Sequence, residues 1–152
     1  MTDDAGRAPT LRWVRARRQL DAPPDRVYRA WSQPEELSRW FPHRIEGGLA
    51  VGTRTWLVWP DQRTWWDVVA AEPNTQFAFR WPWLPDDSHV TTATIRIEPR
   101  GYGSIVALED GPFDTADPRL LDAYAEACAG WGEALAMLRA HLDFSVDVRR
   151  FR

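Results

Sequence analysis

Lysine is absent from this chain: all 19 basic residues are arginine, and 22 acids outnumber them for a formal charge of −3. That balance gives no overall attraction to nucleic acid or to an anionic membrane surface. The densest basic run, "RWVRARR" at 12–18, reads as the arginine-rich outer face of a strand rather than a phosphate-binding patch. The single cysteine, Cys128, excludes an internal disulfide and suits a reducing cytoplasm. No apolar run approaches the ~20 residues of a membrane span, and "MTDDAGRAPT" lacks the apolar centre of a signal peptide. A cytoplasmic protein with neither a nucleic-acid partner nor a membrane span is expected.

Histidine is also scarce. His43, His89 and His141 stand far apart, with no metal-ligand spacing among them. "EGGLAVG" (46–52) is a glycine loop without the helix start and lysine of a phosphate cradle. No metal, no cofactor and no catalytic residue is assigned on these grounds.

What the chain has in abundance is tryptophan, ten residues in 152. The chain is long enough for one domain with a real core, so the indoles either fill that core or line a site. After a flexible start (1–10), "LRWVRARRQL" (11–20) reads as a strand. "DAPPDRVYRAW" then turns into a short helix, with Pro24 in its first turn and Val27, Ala30 and Trp31 on one face. "SQPEELSRWF" reads as a second helix, Ser32 and Glu35 having capping-box spacing and Leu37, Trp40 and Phe41 its apolar side. Strands separated by turn residues follow at 52–59, 64–71, 76–83, 89–98 and 104–110, and their short connections argue an antiparallel meander.

From the cap pair Asp117-Pro118 a helix runs to about Leu142. Leu121, Tyr124, Cys128, Trp131, Leu135, Leu138 and Leu142 form a 3-4 stripe along it, over about 24 residues and roughly 36 Å. On that stripe Cys128 reads as a small buried hydrophobe rather than a nucleophile. Gly130 and Gly132 flank Trp131 and each costs a helix ~1 kcal/mol; the reading is that they let the helix approach the sheet. The tail 143–152, "DFSVDVRRFR", reads as a frayed end, with an edge strand as the alternative.

"DAPPDRVYRAWSQPEELSRWF", "EPNTQFAFRW" and "GWGEALAMLRAHL", in that order, resemble the SRPBCC (START-like) superfamily, specifically its Hsp90 ATPase activator homologue type. The resemblance covers about residues 11–142. It implies an α+β helix-grip fold: a curved antiparallel sheet of six to seven strands around a long C-terminal helix, with two short helices after the first strand. It also implies a cavity between sheet and helix, in which relatives hold lipids, hormones, polyketides and other apolar molecules. Some relatives are cyclases or aromatases, and one branch stimulates a chaperone ATPase.

Alternation, with the register that the resemblance implies, turns Arg54, Trp56 and Val58 toward the helix. Trp66, then Phe77, Phe79 and Trp81, then Ile95 follow on the same face. With Trp40, Tyr124, Trp131 and Leu135 these residues line the expected cavity, or fill it. An inward Arg54 needs a carboxylate partner, which Glu109 or Asp110 of "VALED" supplies; Glu109 is taken as the cavity residue. A one-residue slip would instead leave Arg54 in solvent. The expected function is binding of a small, largely apolar molecule, carboxylate-bearing if Arg54 faces in. A cyclase- or aromatase-like enzyme and a chaperone-contacting module are the alternatives, and a homodimer stays open.

Overall fold

The computed structural model describes residues 10–151; the flexible start expected at 1–10 lies almost entirely outside them. Seven antiparallel strands form one sheet: β1 (Leu11–Leu20), β2 (Arg44–Glu46), β3 (Arg54–Val58), β4 (Arg63–Glu72), β5 (Gln76–Pro82), β6 (Val90–Arg100) and β7 (Gly103–Asp114). Their order is β1-β7-β6-β5-β4-β3-β2, so β2 to β7 run as a meander and β1 closes against β7. Two short helices, α1 (Pro24–Ser32) and α2 (Pro34–Leu37), connect β1 to β2, and α3 (Pro118–Phe144) ends the fold. This is the helix-grip arrangement. Among the described residues no helix is long and apolar enough to cross a membrane.

Helix boundaries follow local chemistry. Pro24 and Pro34 occupy first turns, where a missing N–H costs nothing. Asp117 caps α3 by accepting from the Arg119 backbone N–H at 2.9 Å. The capping box expected at Ser32 and Glu35 does not form. Ser32 ends α1 and donates to the Tyr28 carbonyl at 2.8 Å, leaving Gln33 to cap α2 without a side-chain bond. Ser145, in the left-handed region (φ 55°), stops α3. Neither a strand nor a frayed end follows. A 3-10 turn (Val148–Phe151) docks instead, Arg149 donating to the carbonyls of Ser38 (3.0 Å) and Pro42 (2.5 Å).

The buried side of α3 is not the stripe read from the sequence. Leu120, Ala123, Ala127, Trp131, Ala134, Leu135, Leu138 and Leu142 face inward, whereas Leu121 is 48% exposed and Cys128 is exposed. The slip is confined to the first turns. There alanines provide the small inner surface, and α3 lies closest to β1. The flanking glycines do not serve close approach. A Cβ built on Gly130 or Gly132 would meet nothing within 4 Å. Gly103 and Gly111 are under steric constraint instead: a Cβ on Gly103 would come within 2.2 Å of the Leu20 carbonyl oxygen, and one on Gly111 within 2.5 Å of the Trp13 ring.

These two kinds of glycine predict opposite signs. Gly103→Ala should lower the unfolding free energy by about 1–3 kcal/mol or more through forced backbone displacement. Gly132→Ala should raise it by up to ~1 kcal/mol, from helix propensity alone. Urea unfolding of both variants checks the pair.

Candidate functional site: an aromatic groove floored by a buried aspartate

Strand pleating decides which side chains meet α3. Along β5, Phe77, Phe79 and Trp81 point inward and are buried. Trp66 and Val68 of β4, Ala93, Ile95 and Ile97 of β6, and Val106 and Leu108 of β7 join them. Trp66 stacks on Phe79 at a centroid distance of 3.6 Å, and Trp31 meets Trp40 edge-on at 4.9 Å. Trp31, Trp40, Trp66 and Trp131 are all within 2% of complete burial. A fully buried indole removes about 200 Å² from water, about 5 kcal/mol at 25 cal/mol per Å². Trp31, Trp40 and Trp66 fill the interior rather than wall it.

Space remains where the filling ends. α3 packs chiefly on β1 and β7, and an open groove of about 570 Å³ lies between its middle and the far ends of β4 and β5. Phe41, Trp59, Trp81, Trp83 and Trp131 supply its rings. They form a continuous chain of ring contacts. Trp81 lies 4.9 Å from Trp83 and 5.2 Å from Trp131, Phe41 stacks parallel to Trp131 at 6.1 Å, and Trp59 meets Phe41 edge-on at 5.3 Å. On the helix side Gly130, Ala134 and Met137 complete the wall. Gly130 thus has a role after all, because its missing side chain leaves the groove open.

Beneath the groove sits Asp110 of β7, completely buried. One of its oxygens accepts the indole N–H of Trp131 at 2.8 Å and that of Trp81 at 3.1 Å. The other accepts the Thr91 hydroxyl at 2.5 Å, and Thr91 in turn accepts the Trp83 indole N–H at 2.9 Å. One carboxyl group therefore fixes three of the groove's four indoles, two directly and one through Thr91. The fourth, Trp59, donates to the Phe41 carbonyl at 3.1 Å. Burial pushes the Asp110 carboxyl above the ordinary carboxylate range, and the bonds from Thr91, Trp131 and Trp81 offset only part of that rise.

Of the expected site residues, Trp81 and Trp131 line the groove. Trp40, Trp66, Phe77, Phe79, Ile95 and Leu135 are inner and buried, and belong to the filled interior. Tyr124 is half-buried, its ring 5.8 Å from Phe113 and its hydroxyl held up in pKa chiefly by Cys128. Four expected inward residues face the other way. Thr55 and Leu57 are the buried positions of β3, so Arg54, Trp56 and Val58 lie on its outer face. Arg54 pairs there with Asp67 at 2.7 Å and stacks over Trp65 at 3.8 Å. Trp56 is covered by the Arg63 guanidinium at 3.9 Å. Glu109 also points outward, to Arg15 at 2.9 Å, and its neighbour Asp110 is the inward acid.

The β3 pattern misleads because both its faces are apolar, the outer indoles being roofed by arginine guanidinium groups. Phe41 stood only on the apolar side of α2 in the sequence reading. Trp83, two residues beyond Trp81 on the same pleat, was a legible signal. Among the described residues no group of three or more His, Cys, Asp or Glu could hold a metal ion.

Known proteins repeat this frame. Residues 21–143 match the family model described as Activator of Hsp90 ATPase homolog 1-like protein. Protein MLL2253 from Mesorhizobium loti is 26% identical with a TM-score of 0.77, over 89% of this chain and 99% of that one. The Aha1 dimer from Colwellia psychrerythraea is 18% identical with a TM-score of 0.77, over 87% and 96%. CalU16 from Micromonospora echinospora is 23% identical with a TM-score of 0.68, over 86% and 73%. No curated protein matches the chain.

Two predictions follow from the Asp110 geometry. Asp110→Ala leaves two indole N–H groups and a hydroxyl without their acceptor, at ~1–3 kcal/mol each; urea unfolding should show a loss of about 3–5 kcal/mol, and a loss below ~1 kcal/mol contradicts the arrangement. The second concerns pH. The folded pKa of Asp110 lies above the unfolded value of about 4. Its contribution to stability is therefore full below the unfolded value and is lost as pH rises through the folded one. Asp110→Asn cannot titrate, so its stability relative to the parent should climb with pH across that window. A flat difference contradicts the shift.

Proposed function

We propose, for a chain that belongs to the Activator of Hsp90 ATPase homolog 1-like family, that the groove between sheet and α3 takes up a small, largely apolar molecule. One observation carries the reading: five aromatic rings converge on an open groove, and three of its four indoles are held in place from behind by Asp110, one of them through Thr91. Concave, aromatic-lined space with pre-set side chains is what a small-molecule site needs, because little ordering remains to be done on binding.

The ligand lies at the mouth of the grip, in the groove, because rings already fill the volume between the inner strands and α3. A carboxylate-bearing ligand loses its support, since Arg54 points away from this space. Binding is favoured over a cyclase-like reaction by the burial of Asp110. Trp81 and Trp131 stand between the carboxyl and the groove, and they occupy the oxygen that faces them. A general acid or base has to reach the proton it transfers, directly or through one water.

Titration with the neutral, apolar fluorophore N-phenyl-1-naphthylamine, read by energy transfer from tryptophan, tests the reading. Gly130→Leu places a side chain in the groove, where a Cβ meets open space. It should weaken the probe at least tenfold. Gly132→Leu, two residues on and outside the groove, should leave affinity within about twofold, and so should Arg54→Ala. Equal affinity in Gly130→Leu and the parent contradicts the groove as the site.

A further inference from the structure

The turn that follows α3 reaches back toward the groove through one side chain. Arg149 is a charged residue with its side chain only 13% exposed, and its guanidinium is fully engaged. Its Nε and one terminal nitrogen donate to the two oxygens of Asp147, each at 2.8 Å. That fork fixes the plane of the group, so the remaining nitrogen arrives already aimed. It donates to the Ser38 carbonyl at 3.0 Å and to the Pro42 carbonyl at 2.5 Å. Both carbonyls lie in the segment leaving α2, where the helix no longer supplies donors. Arg149 thus ties residues 38–42 to a turn more than 100 residues away in sequence.

Phe41 stands between those two carbonyls. Among the five groove rings it has the least regular support. The other four stand on α3, on β5, or on the residue next after β3 or β5. The Phe41 backbone N–H donates to the Leu37 carbonyl at 3.0 Å, and its carbonyl accepts the Trp59 indole N–H at 3.1 Å. Its ring, with no polar atom to anchor it, packs parallel to Trp131 at 6.1 Å and edge-on to Trp59 at 5.3 Å. A shift of this segment would therefore move a groove wall and loosen a second one, Trp59, with it.

We propose that Arg149 is a positioning residue for the groove: by bridging the carbonyls on either side of Phe41, it sets where that ring stands and so shapes the ligand site. This rests on the groove being the binding site, as proposed above, and adds a control on it supplied by the C-terminal turn. Without the bridge, ordering residues 38–42 falls to the ligand and weakens its binding. The coupling is reciprocal, so a ligand packed on Phe41 also holds the turn in place.

Titration of the parent, Arg149→Ala, Phe41→Ala and the double variant with N-phenyl-1-naphthylamine tests it. Arg149→Ala should weaken the probe about fivefold and Phe41→Ala about tenfold, whereas adding Arg149→Ala to Phe41→Ala should cost less than about twofold more, because the bridge then has no ring to place. Asp117→Ala removes the cap of α3 outside the groove lining; it should leave affinity within about twofold, which separates positioning from a general loss of stability. Should Arg149→Ala not fold, Asp147→Asn takes its place in the same cycle, with a loss of about threefold that again disappears in the Phe41→Ala background. Parent-like affinity in the Arg149 or Asp147 variant overturns the positioning role and leaves the groove intact as the site. Losses that add in the double variant overturn it as well, since Arg149 then acts by a route other than Phe41. A parent that does not bind the probe overturns the groove itself.

Discussion

A buried indole brings a large apolar body and one N–H donor that needs an acceptor. This fold depends on how that requirement is met. Asp110 is the acceptor for two indoles and, through Thr91, the anchor for a third. It ties β5, β6, β7 and α3 together at one point. Low-dielectric burial strengthens these hydrogen bonds, and the same burial pushes the group's pKa up. By contrast, the Trp31 and Trp66 nitrogens, deep in the filled part of the interior, have no hydrogen-bond partner among the described residues. Trp40, in the interior, donates to the Ala30 carbonyl at 3.0 Å, but only at the groove do several indoles share one acceptor group.

The division between filled interior and open groove comes from where α3 lies. Alanines 123, 127 and 134 and the larger Trp131, Leu135 and Leu138 set its seat, closest to β1 and β7. On the β4–β5 side the gap is wider, and rings rather than the helix cover the sheet. Trp66, Phe77 and Phe79 occupy the deep part of that gap, and Trp81, Trp83 and Trp131 its mouth. Gly130 sits where any side chain would reduce the opening. It is tolerated in a 27-residue helix despite its cost because neighbouring turns on both sides are well packed.

Much of the fold was legible in the sequence because its signals are local. Pro24, Pro34 and Asp117-Pro118 mark helix starts, and the turn residues between strands enforce the meander. Orientation was harder. On β5 one face is plainly apolar and the alternation reads correctly. On β3 both faces are apolar, and nothing local reveals that Arg54 and Arg63 cover Trp65 and Trp56 from outside. "VALED" offered two acids, and only pairing with β1 and β6 decides that Glu109 meets Arg15 while Asp110 turns inward. The groove itself is a consequence of packing between segments about 50 to 90 residues apart, so no stretch of sequence contains it.

The central claim is that Asp110 holds the Trp81 and Trp131 indoles in place as the floor of the groove. Hydrogen exchange of the indole N–H protons, resolved in an indole ¹H–¹⁵N spectrum, tests it most directly. The Trp81 and Trp131 resonances should be among the slowest to exchange, and both should shift when N-phenyl-1-naphthylamine is added. Exchange as fast as that of the outer Trp56, or shifts confined to outer indoles, would contradict it.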